Sequence, residues 1–183
     1  MKKLMICSMV CLMAMASKAQ VMTSALVNKV YEEMRMDSSS QFAYHAEFDD
    51  NGNVSSMSVY QKCQGKDRNH LKPVCRYQYN YHADGLLSSR IKYVWQHNDW
   101  QCFGRYDYTL TGAIYTAEFS RWNQQKSAFS QPQGKMIYLL QPNDSVTLIA
   151  CYSRHHKNSP MELDLQISVE YQPLCTDNDL ANK

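Results

Sequence analysis

Polar and apolar residues alternate strictly between Tyr77 and Tyr81, where Gln78 and Asn80 separate three tyrosines. That two-residue period is the signature of a strand with one face turned inward. Ala83-Asp84-Gly85 follows as a turn, and Leu87, Ile91, Tyr93 and Trp95 read as the apolar set of a returning strand. The same hairpin is written three more times. Counted from Gly52, Gly85, Gly112 and Asp144, the residue four earlier is Phe48, Tyr81, Tyr108 or Leu140, and the residue two later is Val54, Leu87, Ile114 or Val146. These turn positions stand 33, 27 and 32 residues apart, a period that means stacked hairpins when alternation runs inside it.

The side chains also select a turn. A two-residue loop at Asn51-Gly52 or Asp84-Gly85 would set Phe48 opposite Ser55 and Tyr81 opposite Ser88. A three-residue loop instead pairs Phe48 with Val54, Tyr81 with Leu87, Tyr108 with Ile114 and Leu140 with Val146. A one-residue slip would turn one strand's apolar set to the wrong face, so the apolar pairs favour the longer loop in all four copies.

Further strands are expected over Phe42–Phe48, Val54–Lys62, Val74–Tyr81, Leu87–Trp95, Trp100–Tyr108, Ala113–Trp122, Lys135–Leu140, Ser145–Arg154 and Met161–Tyr171. Val21 to Met36 fits a helix, through Leu26, Val27, Val30, Tyr31 and Met34, as well as it fits a tenth strand. Gln64–Lys72 is a polar loop. The fold class is all-β: an antiparallel meander of about nine to ten strands, built from four hairpin repeats and curled into a single sheet or an open-sided barrel. One face is aromatic and aliphatic. The other carries His45, Glu47, Gln78, Asn80, Arg105 and Asp107 and faces water.

The chain's start changes the charge picture. Lys2 and Lys3 precede the apolar run Leu4 to Ala16, and Ser17-Lys18-Ala19 supplies a cleavage site. Residues 1–19 therefore read as a signal peptide, 20–173 as one β-meander domain and 174–183 as a flexible tail. The expected location is the periplasm, cell surface or exterior, without stable membrane insertion after cleavage. Losing nineteen of 183 residues leaves 164. Losing Lys2, Lys3 and Lys18 leaves 16 basic residues of the original 19 against 17 acidic ones. No basic stripe remains, which argues against a nucleic-acid partner. Thirteen tyrosines beside six glycines and five prolines suit strands. Cys63, Cys75, Cys102, Cys151 and Cys175 remain in the mature chain. An odd number leaves at least one thiol free or paired between molecules. Cys63 and Cys75 bracket one loop and are the disulfide candidates, although alternation puts them on opposite faces.

Candidate chemistry is sparse. His155-His156 point to opposite faces if in a strand and have no acidic or cysteine partner at ligand spacing, so no metal is expected. Cys102 falls on the apolar face beside Tyr106 and reads as a buried thiol, not a nucleophile. Glu47, Asp107 and Glu118 are the only carboxylates placed for paired acid–base work, and they read as water-facing residues. Neither a phosphate-binding glycine loop nor a serine elbow occurs, and no cofactor is expected. One aromatic cluster is sharper. The repeat register sets Trp100 opposite Trp122, and the connection Gln96–Asp99 sets Trp95 opposite Trp100. The three then share a face at one end of neighbouring strands. They close the sheet as a core plug, or they form a platform for a sugar ring or a partner's apolar side chain.

The Tyr-x-Tyr strand, the Asp/Asn-Gly turn, Ser-Ser, Tyr-x-Trp, Asn-Asp-Trp and Arg-Tyr-Asp-Tyr resemble a family of small exported Bacteroidetes proteins catalogued only as a domain of unknown function. Glu118-Phe-Ser-Arg-Trp122 and Asp144-Ser-Val belong to the same pattern, so the resemblance covers roughly Phe42 to Arg154. Lys62 stands in the first copy where the next two have Trp. The hairpins are also distantly similar to the tyrosine-aspartate repeats of large secreted shell proteins. Both resemblances imply export and β-sheet architecture, and neither supplies catalytic residues. The sequence reading is a non-enzymatic exported module that binds a protein or a glycan. The alternative is a surface-assembly protein pairing through its sheet edges, with a secreted hydrolase behind both.

Overall fold

The computed structural model describes residues 21–63, 70–141, 146–156 and 158–168. The signal-peptide reading and the tail at 174–183 fall outside these residues. Among the described residues one helix, α1 (Ser24–Met36), precedes ten strands. These are β1 (Phe42–Phe48), β2 (Val54–Lys62), β3 (Leu71–Tyr81), β4 (Leu87–Gln96), β5 (Asp99–Thr111), β6 (Ile114–Asn123), β7 (Ala128–Phe129), β8 (Gly134–Leu140), β9 (Val146–Ser153) and β10 (Glu162–Ser168). All are antiparallel to their neighbours. The sheet runs in chain order from β1 to β6 and on through β8, β9 and β10, with the short β7 paired beside β8 on the far end of β6. Its two outer strands do not pair with each other among the described residues, so the sheet is an open meander, not a closed barrel.

The ambiguous N-terminal segment is helical. Thr23 caps it by accepting a hydrogen bond from the Leu26 N–H at 3.2 Å. Val27 and Tyr31, on one stripe, are buried against the sheet. The approach to α1 is tied down by backbone bonds, Ser24 N–H to Gly85 O and Leu87 N–H to Met22 O, both 2.9 Å. Asn28 adds a side-chain clamp, accepting from Val54 N–H at 2.8 Å and donating to Gly52 O at 3.3 Å. The helix thus fastens two repeat turns together and covers one face with Val27, Tyr31, Val54, Met57, Leu87 and Tyr108 in the core.

Three of the four expected turn registers hold: Phe48 lies opposite Val54, Tyr81 opposite Leu87 and Leu140 opposite Val146. Gly52 (φ 77°) and Gly85 (φ 81°) take the left-handed position that such a loop requires. Immediately after each of these pairs the register shifts by one residue. The residue left over is Ser55, Ser88 or Thr147. Each hydroxyl donates to the carbonyl across the hairpin: Ser55 to Glu47 O at 3.2 Å, Ser88 to Asn80 O at 2.9 Å and Thr147 to Leu139 O at 3.2 Å. This is a β-bulge held by a side chain.

The third copy departs from the expectation. Thr111 pairs with Ile114 across a two-residue turn, and Tyr108 lies opposite Ala117 instead of Ile114. Tyr115 stands where the other copies have a bulge hydroxyl, and Thr111 replaces the Asp or Asn that precedes glycine in the first two. The slip is odd, so Ile114 turns outward at 46% exposure and Tyr115 turns inward at 6%. Tyr115 then stacks on Tyr108, with centroids 6.0 Å apart and planes 8° apart.

The bulge at Ser88 corrects a second expectation. Beyond it, Arg90 lies opposite Tyr79 and Lys92 opposite Tyr77, on the tyrosine face. Ile91, Tyr93 and Trp95 turn to the polar face. A further bulge where Gly104 faces Lys92 and Cys102 faces Tyr93 moves Cys102 to that same polar face, away from Tyr106 and only partly buried.

Cys63 and Cys75 are both free thiols. Cys75 lies opposite Val59, and Cys63 is four residues farther along the same strand direction. At roughly 3.3 Å per residue the offset is about 13 Å, well beyond the ~7 Å Cα separation a disulfide tolerates. Cys75 is buried, and that burial pushes its thiol pKa up. Alkylation of the native protein is therefore expected to modify the partly exposed Cys63 quickly and Cys75 only on unfolding. Equal native rates at both, or a Cys63–Cys75 bridge in non-reducing peptide maps, would contradict the register.

Close packing fixes Gly104. A Cβ there would stand 2.6 Å from Phe119 Cε2 and 2.8 Å from Ser120 O. Gly52, by contrast, has no atom within 4 Å of that position and only its positive φ to protect. Gly104→Ala is expected to cost about 2–3 kcal/mol through overpacking, and Gly52→Ala about 1 kcal/mol through backbone strain. Urea midpoints of the two variants check the order, and a smaller loss at Gly104 would reject the packing.

Candidate functional site

The polar face of β1–β5 carries a shallow groove of about 440 Å³. Its walls come from Glu47 on β1, Ser55 and Ser56 on β2, Arg76, Gln78 and Asn80 on β3, Tyr93 on β4 and Trp100 on β5. Alternation explains the set. Gln78 pairs with Ser56 and Ile91, and Arg76 pairs with Ser58 and Tyr93, so one side of three adjacent strands supplies most of the lining.

The groove's side chains hold one another in place. Arg76 Nε donates to Ser58 Oγ at 3.1 Å, and its guanidinium lies 4.8 Å from the centre of the Trp100 ring. The buried Ser58 thus fixes a stacked cation–indole pair. Trp95 meets Trp100 edge to face, 5.0 Å between centroids and 71° between planes. The Tyr93 hydroxyl donates to Gln78 Oε1 at 3.2 Å. Burial pushes the Tyr93 pKa up, with Cys102 adding to the rise and Arg76 opposing it, so the phenol remains a donor at neutral pH. Asn80 Nδ2 donates to Ser89 Oγ at 2.9 Å. The result is a polar trough with an aromatic flank and carboxylate, amide and guanidinium groups along its length.

Two of the three expected tryptophans come together. His97 (φ 52°) and Asn98 (φ 59°) make a two-residue turn, Gln96 pairs with Asp99, and Trp95 lies opposite Trp100 as the sequence indicated. Trp122 does not join them. The slipped β5–β6 register sets Arg121 opposite Gly104, and Trp122 pairs with Phe129 of β7, which it meets at 5.0 Å and 71°. Arg105 lies 4.5 Å over that Phe129 ring. All three tryptophans are partly exposed and none belongs to the buried core, so the core-plug alternative does not hold. Sequence alternation missed Arg76 and Tyr93 as their neighbours because it carried Tyr93 to the tyrosine face. The hydroxyl three residues after the turn was the available signal.

Other candidate chemistry resolves differently. Asp107 and Glu118 are cross-strand partners, each matched to a cation: Arg105 at 2.9 Å and Lys135 at 3.0 Å. Glu47 lies apart, in the groove. His155 does have acidic neighbours, contrary to the sequence reading. β10 brings Glu162 to 3.7 Å and Asp164 to 3.8 Å of its Nε2. Among the described residues no group of three or more His, Cys, Asp or Glu is arranged to hold a metal ion, and no helix is long and apolar enough to cross a membrane.

Comparison with known proteins places this architecture. No curated protein matches the chain at a significant level. A crystal structure of a protein with unknown function from Bacteroides fragilis has the same fold, with a TM-score of 0.60 and 22% identity over 70% of this chain and 92% of that one. A DUF3836 family protein from Bacteroides vulgatus gives a TM-score of 0.44 and 24% identity, covering 49% of this chain and 89% of the other. One from Parabacteroides distasonis gives 0.46 and 22%, covering 54% and 89%. The model of DUF3836, a family of unknown function, matches residues 1–140, and the chain with this turn-and-bulge meander belongs to that family.

Proposed function

We propose that the protein is an exported, non-enzymatic binding module whose polar-face groove takes a glycan. The observation that carries this reading is the composition of the groove: Tyr93 and Trp100 on one flank, and Glu47, Arg76, Gln78 and Asn80 as hydrogen-bonding groups around them. A sugar ring has an apolar C–H face and a hydroxylated rim. Aromatic side chains pack the first, while carboxylates, amides and guanidinium groups bind the second. Pre-set contacts such as Tyr93–Gln78 and Arg76–Ser58 lower the ordering cost of binding. Export is part of the proposal through the lysine-flanked apolar run at residues 2–19, and it would put the groove where glycans are met.

A second reading rests on the sheet edges. β10 exposes Leu163, Leu165 and Ile167 at 51%, 50% and 42% on the last paired strand, a surface suited to strand addition by another chain. Assembly through β10 would make oligomeric state depend on charged substitutions at Leu165 and leave the groove unaffected.

A screen of soluble glycans against the full mature chain tests the first reading. Trp100→Ala is expected to weaken binding at least tenfold, about 1.4 kcal/mol, with the melting temperature nearly unchanged because the ring is partly exposed. Trp122→Ala, outside the groove, is expected to leave affinity intact and lower the melting temperature through its lost contact with Phe129. Retained affinity in Trp100→Ala, or no glycan bound by the wild-type chain, would reject the groove as a glycan site.

A further inference from the structure

The opposite, tyrosine-rich face holds a run of positive charge that the glycan reading does not use. Arg90 and Lys92 of β4 point into it. The Arg90 guanidinium lies 5.0 Å from the centre of the Tyr106 ring and 5.5 Å from that of Tyr77. Lys92 Nζ lies 5.8 Å from the other neighbour it shares, the Tyr77 ring, and 5.5 Å from Phe103. Arg121 of β6 lies 5.7 Å from that same Phe103 ring. Cations and rings thus alternate across β3 to β6.

None of the three cations has an acidic partner among the described residues. Of the carboxylates of β5 and β6, Asp107 and Glu118 sit on the polar face with Arg105 and Lys135, and Asp99 accepts from Trp100 N–H and Gln101 Nε2 at the start of β5. Those of α1 are engaged locally, Glu32 with Arg35 and Glu33 with Lys29. Arg90 makes no hydrogen bond within the described protein, and its Nε is sealed from solvent with no acceptor. The surrounding phenols do not supply a counter-charge at neutral pH. Burial pushes Tyr79 up to about 12 and raises Tyr106 and Tyr108 as well.

Ring faces attract a guanidinium but do not satisfy its N–H donors. A partly buried cation with unmet donors in an aromatic setting is a site in want of an oxyanion, because arginine binds such groups through paired, charge-assisted hydrogen bonds. The surface beyond is apolar. Met136, Ile149 and Cys151 continue the same face toward Leu165 and Ile167 on β10, which remain largely exposed.

We propose that this face binds an amphiphilic carboxylate, its head group seated on Arg90 and Lys92 and its apolar body lying against the rings and the aliphatic surface toward β10. The site is independent of the polar-face groove. Charge complementarity selects the head, and the continuous apolar surface selects the body. A small inorganic anion would satisfy only the first, and a neutral alcohol only the second.

Titration calorimetry of the full mature chain with octanoate, octan-1-ol and acetate separates these contributions. Octanoate is expected to bind at least tenfold more tightly than either of the others. Arg90→Met is expected to abolish that preference over octan-1-ol, and Lys92→Met to reduce it severalfold. Lys92 is partly exposed, so its variant gives the reading even if Arg90→Met does not fold, as judged by circular dichroism. Absence of octanoate binding, equal affinity for octanoate and octan-1-ol, or an unchanged preference in Lys92→Met together with any folded Arg90→Met would overturn the proposal. A purely structural Arg90 would lower the melting temperature in Arg90→Met without any octanoate preference to lose.

Discussion

One hydroxyl in each of three repeats decides which side chains this sheet turns inward. Ser55, Ser88 and Thr147 each sit three residues after the turn position and donate to a carbonyl across the hairpin. Each thereby stabilises an extra residue in the returning strand. Strand side chains alternate, so one extra residue exchanges the faces of everything beyond it. In β4 that exchange takes Arg90 and Lys92 to the tyrosine face and releases Tyr93 and Trp95 to the other. In β2 it places Met57 in the core and turns Ser56 and the buried Ser58 to the polar face, where Ser58 anchors Arg76. The copy with Tyr115 in place of that Ser or Thr also lacks the shift, and its turn is shorter.

The two faces that result have different physical characters. The polar face of β1–β5 is organised by hydrogen bonds among exposed and half-buried groups, with two tryptophans in contact at one end. The tyrosine face is organised by burial. Helix α1 covers part of it through Val27 and Tyr31, and the phenol rings of Tyr79, Tyr108 and Tyr115 fill the space beneath. Asn28 couples helix to sheet, because it satisfies Val54 N–H and Gly52 O beside the first turn. Among the described residues the outer strands β1 and β10 have no further strand beside them, and α1 covers part of the tyrosine face.

The architecture was legible because its signals are repeated. Alternation at Tyr77–Tyr81, the Asn-Gly and Asp-Gly turns and the thirty-residue spacing give the antiparallel meander, but they suit a curled sheet and an open-sided barrel alike, so the open sheet is seen only in the strand pairing. The pairing of Trp95 with Trp100 was legible too, since a short connection leaves few registers. What escaped were changes of phase. Hydrophobicity cannot show a bulge, because Leu87 and Tyr93 are both apolar and look like one stripe. In fact the bulge divides them, burying Leu87 and exposing part of Tyr93. The same blindness put Cys102 beside Tyr106 and Trp122 beside Trp100. Helix and strand could not be told apart over Val21–Met36, where the decision rests on the Thr23 cap and on docking to distant turns.

Nuclear Overhauser contacts of labelled protein test the phase change after Ser88 most directly. Contacts are expected from the Arg90 side chain to the rings of Tyr77 and Tyr106, with its Cδ protons shifted upfield by those rings, and from the Tyr93 ring to Gln78 and Arg76. Contacts between the Tyr93 and Tyr106 rings, with Arg90 side-chain protons at unshifted positions, would mean that the strand continues in phase and that both binding faces are wrongly assigned.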